Sequence, residues 1–151
     1  MEKTDIIDAI NRRLLKRWPD RTVYVDVCPL DFARPSFWLS VERDAMQDAN
    51  RFLIRRDLQM RLTLYDEKDE HYESSWRRLF KDTDAVMKLL LPPLEVGGRR
   101  LMLTLKSLPR DPDRAYVQIN TTWMESRPTE NGSDTAPVAD EYSLRIQAKI
   151  K

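Results

Sequence analysis

The chain has 151 residues, 41% of them apolar and 34% charged, which suffices to bury one core without disulfides or metal and argues against disorder throughout. Its 26 basic and 25 acidic residues leave a net charge of +1, so no global field draws the protein toward nucleic acid or anionic lipid. The single cysteine, Cys28, excludes an internal disulfide and a cysteine metal cluster; with no secretory pattern at the start and no apolar run of bilayer-spanning length, the protein is expected to stay inside the cell.

Thr4 or Asp5 is placed to cap a first helix with apolar positions Ile6, Ile7, Ile10, Leu14 and Leu15, which Trp18-Pro19 ends. Val23, Val25 and Val27 alternate with Tyr24, Asp26 and Cys28, predicting a strand with one buried face that Pro29 closes. After the loop, Phe37, Leu39 and Val41 alternate with Trp38, Ser40 and Glu42 in a second strand entered through Pro35. Asp44 to Asn50 reads as a polar connection to the clearest strand, where Leu58, Met60, Leu62 and Leu64 face one way. The run from Asp66 to His71 is an acidic turn, and its carboxylates favour the start of the following helix. Tyr72, Trp76, Leu79, Phe80, Val86, Met87, Leu90 and Leu91 predict that helix's apolar face, halted by Pro92-Pro93. Leu94 to Val96, Gly97-Gly98 and Arg99 to Leu105 predict a hairpin, because paired glycines supply the positive φ angles of a tight turn. A loop at 109–113 precedes a strand over 116–124, with Val117, Ile119, Thr121 and Trp123 on one side. Residues 127–141, rich in Pro, Gly, Ser and Thr, read as a mobile loop or insertion, and 142–150 as a last strand.

Alternating strands belong to a mainly antiparallel sheet, and two helices are enough to cover one face. The expected fold is a single α+β domain over 1–151: a twisted sheet of about six or seven strands with two helices packed on one face.

Enzyme chemistry finds no footing in these residues. The only histidine, His71, sits in the acidic turn with no nucleophile-elbow serine to partner it, and the three glycines form no phosphate loop. The carboxylates around His71 lack the glycine of an EF-hand loop, and Asp111 and Asp113 read as turn formers. Neither a metal nor a cofactor is expected. The Arg pairs at 12–13, 55–56, 77–78 and 99–100 have acidic neighbours, which favours solvated, partly paired faces over a nucleic-acid patch.

The order of parts carries a family resemblance. A helix ending in Trp18-Pro19, the Val23-Tyr24-Val25 strand, the segment from Phe32 to Trp38, the long third strand, the Tyr/Trp helix and the late strand pair together resemble the tail terminator proteins of long-tailed phages and prophages, in the form common in Gram-positive hosts. The resemblance covers residues 4 to 125, and its sharpest part is Phe32, Arg34, Pro35 and Phe37, an aromatic, a basic residue, Pro and another aromatic. Asp31 departs from it, standing where members usually carry Gly or a similar residue. The resemblance implies a structural virion protein without enzymatic activity, made in the host cytoplasm and then part of the virion tail. It implies a homo-oligomer, a hexameric ring, that caps the completed tail tube, stops its elongation and docks the head-tail connector protein. A head-completion or connector subunit and a small nucleic-acid-binding regulatory domain are the alternatives.

Candidate interaction residues are Phe32, Arg34, Pro35 and Trp38, with the segment 127–141. Two readings stay open for the first three: surface determinants, or parts of the fold in which Phe32 enters the core, Arg34 bonds a carboxylate and Pro35 starts a strand. Likewise Trp38, Tyr24 and Tyr65, opposite the faces assigned to the core, are either surface aromatics or covered by a loop.

Overall fold

In the computed structural model, which describes residues 1–128, the order is α1 (Lys3–Arg17), β1 (Thr22–Val25), β2 (Ser36–Asp48), β3 (Leu53–Tyr65), α2 (Trp76–Leu90), β4 (Leu94–Val96), β5 (Arg99–Leu101), β6 (Thr104–Asp111) and β7 (Arg114–Ser126). Five strands form a mixed, mostly antiparallel sheet in the order β1-β2-β3-β7-β6, and β4 and β5 form a separate hairpin. The α+β class is as expected. The last strand expected at 142–150, and all but the first two residues of the loop expected at 127–141, lie outside the described residues.

Contacts divide the chain into two units. The first comprises Met1–Ala45 and Asp57–Thr122 and holds both helices, the β4–β5 hairpin and most of the sheet. The second comprises Met46–Arg56 and the chain from Trp123. In it, the Asn50 side chain accepts from the Phe52 and Leu53 N–H groups, both at 2.9 Å, and Arg56 pairs with Glu125 at 2.8 Å. The Arg127 N–H donates to the Phe52 carbonyl at 2.8 Å.

Within the first unit, sheet alternation builds the core. Phe37 and Leu39 of β2, Leu58, Met60, Leu62 and Leu64 of β3, and Ala115, Val117 and Ile119 of β7 are all buried. Full burial of each large member contributes roughly 1.5–3 kcal/mol over exposure. Helix α1 adds Ile6, Ala9, Ile10 and Leu14 and packs on α2, β1 and β4. Its cap is Glu2 in place of the expected Thr4 or Asp5, and the Asp5 carboxylate accepts from the Glu2 N–H at 2.8 Å. Trp18 closes it, donating its N–H to the Leu14 carbonyl at 2.8 Å before Pro19 forbids continuation.

The periodicity of the second helix needs correcting. α2 starts at Trp76 under a Ser75 cap, and its buried stripe is Leu79, Thr83, Val86 and Leu90. Tyr72 precedes it with φ 60°, and Tyr72, Trp76, Phe80 and Leu91 are 48–69% exposed. They lie to one side of the stripe that meets the sheet, so hydrophobicity alone overstated the buried face.

The strand boundaries differ for backbone reasons. β1 ends at Val25, because Asp26 turns into the left-handed region at φ 69° and the Val27 N–H bonds back to the Val25 carbonyl at 2.8 Å. Val25 and Val27 are therefore exposed, not core as their alternation suggested. β1 pairs parallel to β2, Val23 opposite Phe37 and Val25 opposite Leu39. The supposed polar connection from Asp44 belongs to β2, which runs on to Asp48 because pairing with β3 outweighs its poor strand composition. Residues 99–105 divide between β5 and β6. β6 continues through Pro109 to Asp111 with an irregular register after Leu108, so the loop expected at 109–113 contracts to a tight turn at Pro112-Asp113. The Gly97-Gly98 turn is as expected, with φ of 57° and 76°.

Candidate functional site

The loop from Asp26 to Pro35 carries three of the four candidate residues, and its course follows from its ends. Asp26 donates its N–H to the Leu39 carbonyl at 2.9 Å and accepts from the Trp38 indole N–H at 3.1 Å. Tyr24 reaches the far limb, its hydroxyl accepting from the Ala33 N–H at 2.9 Å. The loop thus folds back over β1 and β2, and Trp38 and Tyr24 are half-buried beneath it.

Phe32, Arg34 and Pro35 come together at its second limb. Phe32 stacks on Tyr65 with ring centroids 4.0 Å apart, and the Arg34 guanidinium lies 4.8 Å from the Phe32 ring and 5.3 Å from the Tyr65 ring. Arg34 donates to the Asp66 carbonyl at 2.9 Å, the Asp113 carbonyl at 3.2 Å and Asp113 Oδ2 at 2.7 Å. Arg114 forks the same carboxylate at 3.0 and 2.9 Å and lies 4.9 Å from the Tyr65 ring. Pro35, half-buried after a cis peptide bond, leads directly into β2.

Electrostatics follow the geometry. Hydrogen bonds from Arg114, then from Arg34, hold the Asp113 carboxyl down at about 2 against the opposing effect of burial. Asp113 in turn raises the Arg114 guanidinium. Tyr65 is buried, and that burial, followed by its contact with the Cys28 side chain, pushes its hydroxyl up to about 12. Of the two readings open for Tyr65, the covered one holds.

Trp38 stands apart from Phe32 and Arg34. It lines a shallow depression of about 190 Å³ on the sheet face with Ser40, Arg61, Thr63, Arg114 and Tyr116. A second cleft, of about 480 Å³, is lined by Leu30, Phe32, Arg34, Lys68, Asp113 and Arg114, with Asp31 at its side. Arg114 belongs to both. Tyr65, Asp113 and Arg114 are members that the sequence did not single out as a site; Asp113 lies 79 residues from Arg34 along the chain and read as a turn former. The strand expected at 116–124 begins two residues past Arg114, which is in fact the first residue of β7, so alternation gave no signal for it.

These groups are engaged with one another. Both arginines are committed to Asp113, and Tyr65 is held protonated. Among the described residues no group of three or more His, Cys, Asp or Glu side chains is placed to hold a metal ion. The loop instead presents apolar atoms: Val27 is 73% exposed and Leu30 wholly so. On α2, the Trp76 and Phe80 rings meet edge-on at 5.6 Å in solvent. Among the described residues no helix is long and apolar enough to cross a membrane.

A family model described as "Phage tail terminator protein" matches residues 5–107 of this chain. No curated protein matches it. One solved chain is similar at 15% identity, with 84% of this chain and 96% of that one covered and a TM-score of 0.44.

Proposed function

Because the chain belongs to the phage tail terminator family, whose members are structural proteins of the phage tail, we propose that it caps the completed tail tube as a homo-oligomeric, hexameric ring, stops its elongation and offers a docking surface to the head-tail connector. The observation that carries this reading is the family match over residues 5–107, which spans both helices and β1 to β5. Assembly takes place in the host cytoplasm, and the protein ends in the virion tail.

The geometry supports action by surface contact. Arg34, clamped between two aromatic rings and the Asp113 carboxylate, fixes the loop so that Val27 and Leu30 stand out in a defined position. A pre-ordered apolar projection binds with less loss of conformational entropy than a loose one. Phe32, Arg34 and Pro35 then act by holding the loop, and its exposed apolar residues do the touching, while Trp38 supports the loop's first limb.

The test is deletion of the gene from its phage or prophage, followed by induction and measurement of tail lengths by negative-stain electron microscopy, with a complemented strain alongside. Overlong tubes without heads, reversed by complementation, are the expected result. Tails of normal length that fail to join heads would identify a connector subunit instead, and intact particles would remove the protein from virion assembly.

A further inference from the structure

The near-neutral net charge conceals two local patches of opposite sign, one before α2 and one after it. Immediately before this helix, residues 67–73 form an ordered turn: the Asp69 carboxylate accepts from the His71 and Glu73 N–H groups at 2.8 and 3.0 Å, and the Asp69 N–H donates to the Glu73 carbonyl at 2.8 Å. The turn is anchored beneath, where buried Asp66 meets Arg78 at 3.2 Å and the Ser74 hydroxyl donates to the Glu67 carbonyl at 2.8 Å. Glu67, Glu70 and Glu73 are left exposed, Lys68 between them turns to the Tyr72 ring at 4.5 Å, and among the described residues no ion pair engages the three glutamates.

Immediately after α2, its Pro92–Leu94 exit and helix α1 enclose a groove of about 340 Å³ lined by Arg12, Arg13, Lys16, Pro93 and Glu95. Arg13 is committed to its wall, donating to the Pro92 and Pro93 carbonyls at 2.8 and 2.6 Å. Glu95 is the strand partner of Arg100. Arg12 and Lys16 are exposed, with no ion pair among the described residues. A 15-residue helix spans about 22 Å, so the acidic turn and the basic groove lie at opposite ends of α2 and cannot meet within one subunit.

We propose that the acidic turn at 67–73 of one copy docks in the Arg12/Lys16 groove of a second copy. The reading rests on the tail-terminator assignment and names the surface through which its subunits join. Two different patches at opposite ends of one body make a head-to-tail contact, which repeats from copy to copy and closes into a ring when the rotation permits. Tyr72 within the turn and Trp76 beside it, both exposed, add the aromatic area that charge pairs alone lack.

The test uses the full chain in sedimentation velocity, with circular dichroism to verify folding. Wild-type protein is expected to associate at about 0.05 M salt and to lose at least tenfold in affinity at about 0.5 M, where screening shortens the reach of charge. A turn variant (Glu67→Lys, Glu70→Lys, Glu73→Lys) and a groove variant (Arg12→Glu, Lys16→Glu) are each expected to remain monomeric. Mixing the two, or combining all five changes in one chain, is expected to restore association. A wild-type protein monomeric at low salt, single-patch variants that still associate, or folded combined variants that do not would each overturn the proposal. So would variants that self-associate normally but no longer bind purified tail tubes, since the partner would then be the tube. Failure of this contact leaves the deletion phenotype overlong, whereas failure of the tail-terminator reading does not.

Discussion

Arg34 offers the sharpest test of the loop, because what it stabilises can be worked from its contacts. Arg34→Met keeps an apolar stem over Phe32 and Tyr65 but removes the three hydrogen bonds to Asp66 and Asp113. Breaking a fully buried pair costs about 3–5 kcal/mol. Here the two side chains keep 14% and 18% exposure, and Arg114 continues to hold the carboxylate, so about 2 kcal/mol is expected. Urea unfolding followed by tryptophan fluorescence measures it. A double-mutant cycle with Asp113→Asn should return a coupling of about 1 kcal/mol, above the error of additivity.

The pH dependence has a definite sign. Asp113 sits at about 2 when folded, below its ordinary 3.8, so its stabilising effect is fully present above that ordinary value and is lost as pH falls toward 2. Allowing for solvent screening of a partly exposed pair, this amounts to about 1 kcal/mol, and the acid-side slope should shrink in Arg34→Met. Mutations that simply add, with an unchanged acid limb, would refute the idea that this pair fixes the loop.

On the alkaline side, Tyr65 and Tyr116 are both pushed up to about 12, chiefly by burial, the latter also donating its hydroxyl to Asp111. Their contribution is therefore present below pH 10 and is lost as pH rises through 12, which phenolate absorbance and unfolding midpoints should report together. Leu62→Ala, at a position with no exposure in the middle of β3, is expected to cost about 2–5 kcal/mol in urea unfolding. Gly98→Ala should cost about 1 kcal/mol, purely from its φ of 76°, since an added Cβ meets nothing within 4 Å. Replacing Trp76 and Phe80 together by Ser should leave the midpoint within about 0.5 kcal/mol, as expected for side chains outside the core.

How far the sequence could be read depended on whether the deciding interaction was local. The β3 alternation, the Gly97-Gly98 turn and the helix stop at Trp18-Pro19 are local, and each is where periodicity and φ preferences put it. Trp76 and Phe80 misled because size and hydrophobicity say nothing about which side of a helix meets the sheet. β2 outran its pattern because pairing with β3, and not its own composition, decides where it ends. The Phe-Ala-Arg-Pro segment was legible as a unit, but its anchor was not: Asp113 is recruited from the β6–β7 turn, and no spacing rule connects positions 34 and 113. Asp69 and the glutamates around it read correctly as a turn, whereas their opposition to Arg12 and Lys16 needed the length and direction of α2.

The borders of the five-stranded sheet bear on how a polymer is made to end. An open row of strand N–H and C=O groups invites another strand to add, and then another. Among the described residues the outer strands of this sheet are β1, four residues long, and β6, which is interrupted by Pro109, a residue with no N–H to donate, where its register slips. On the proposed reading of the chain as a cap, a molecule set at the tip of a growing assembly can halt it only if it does not itself seed the next layer, and a short β1 and a proline-interrupted β6 are poor templates for one.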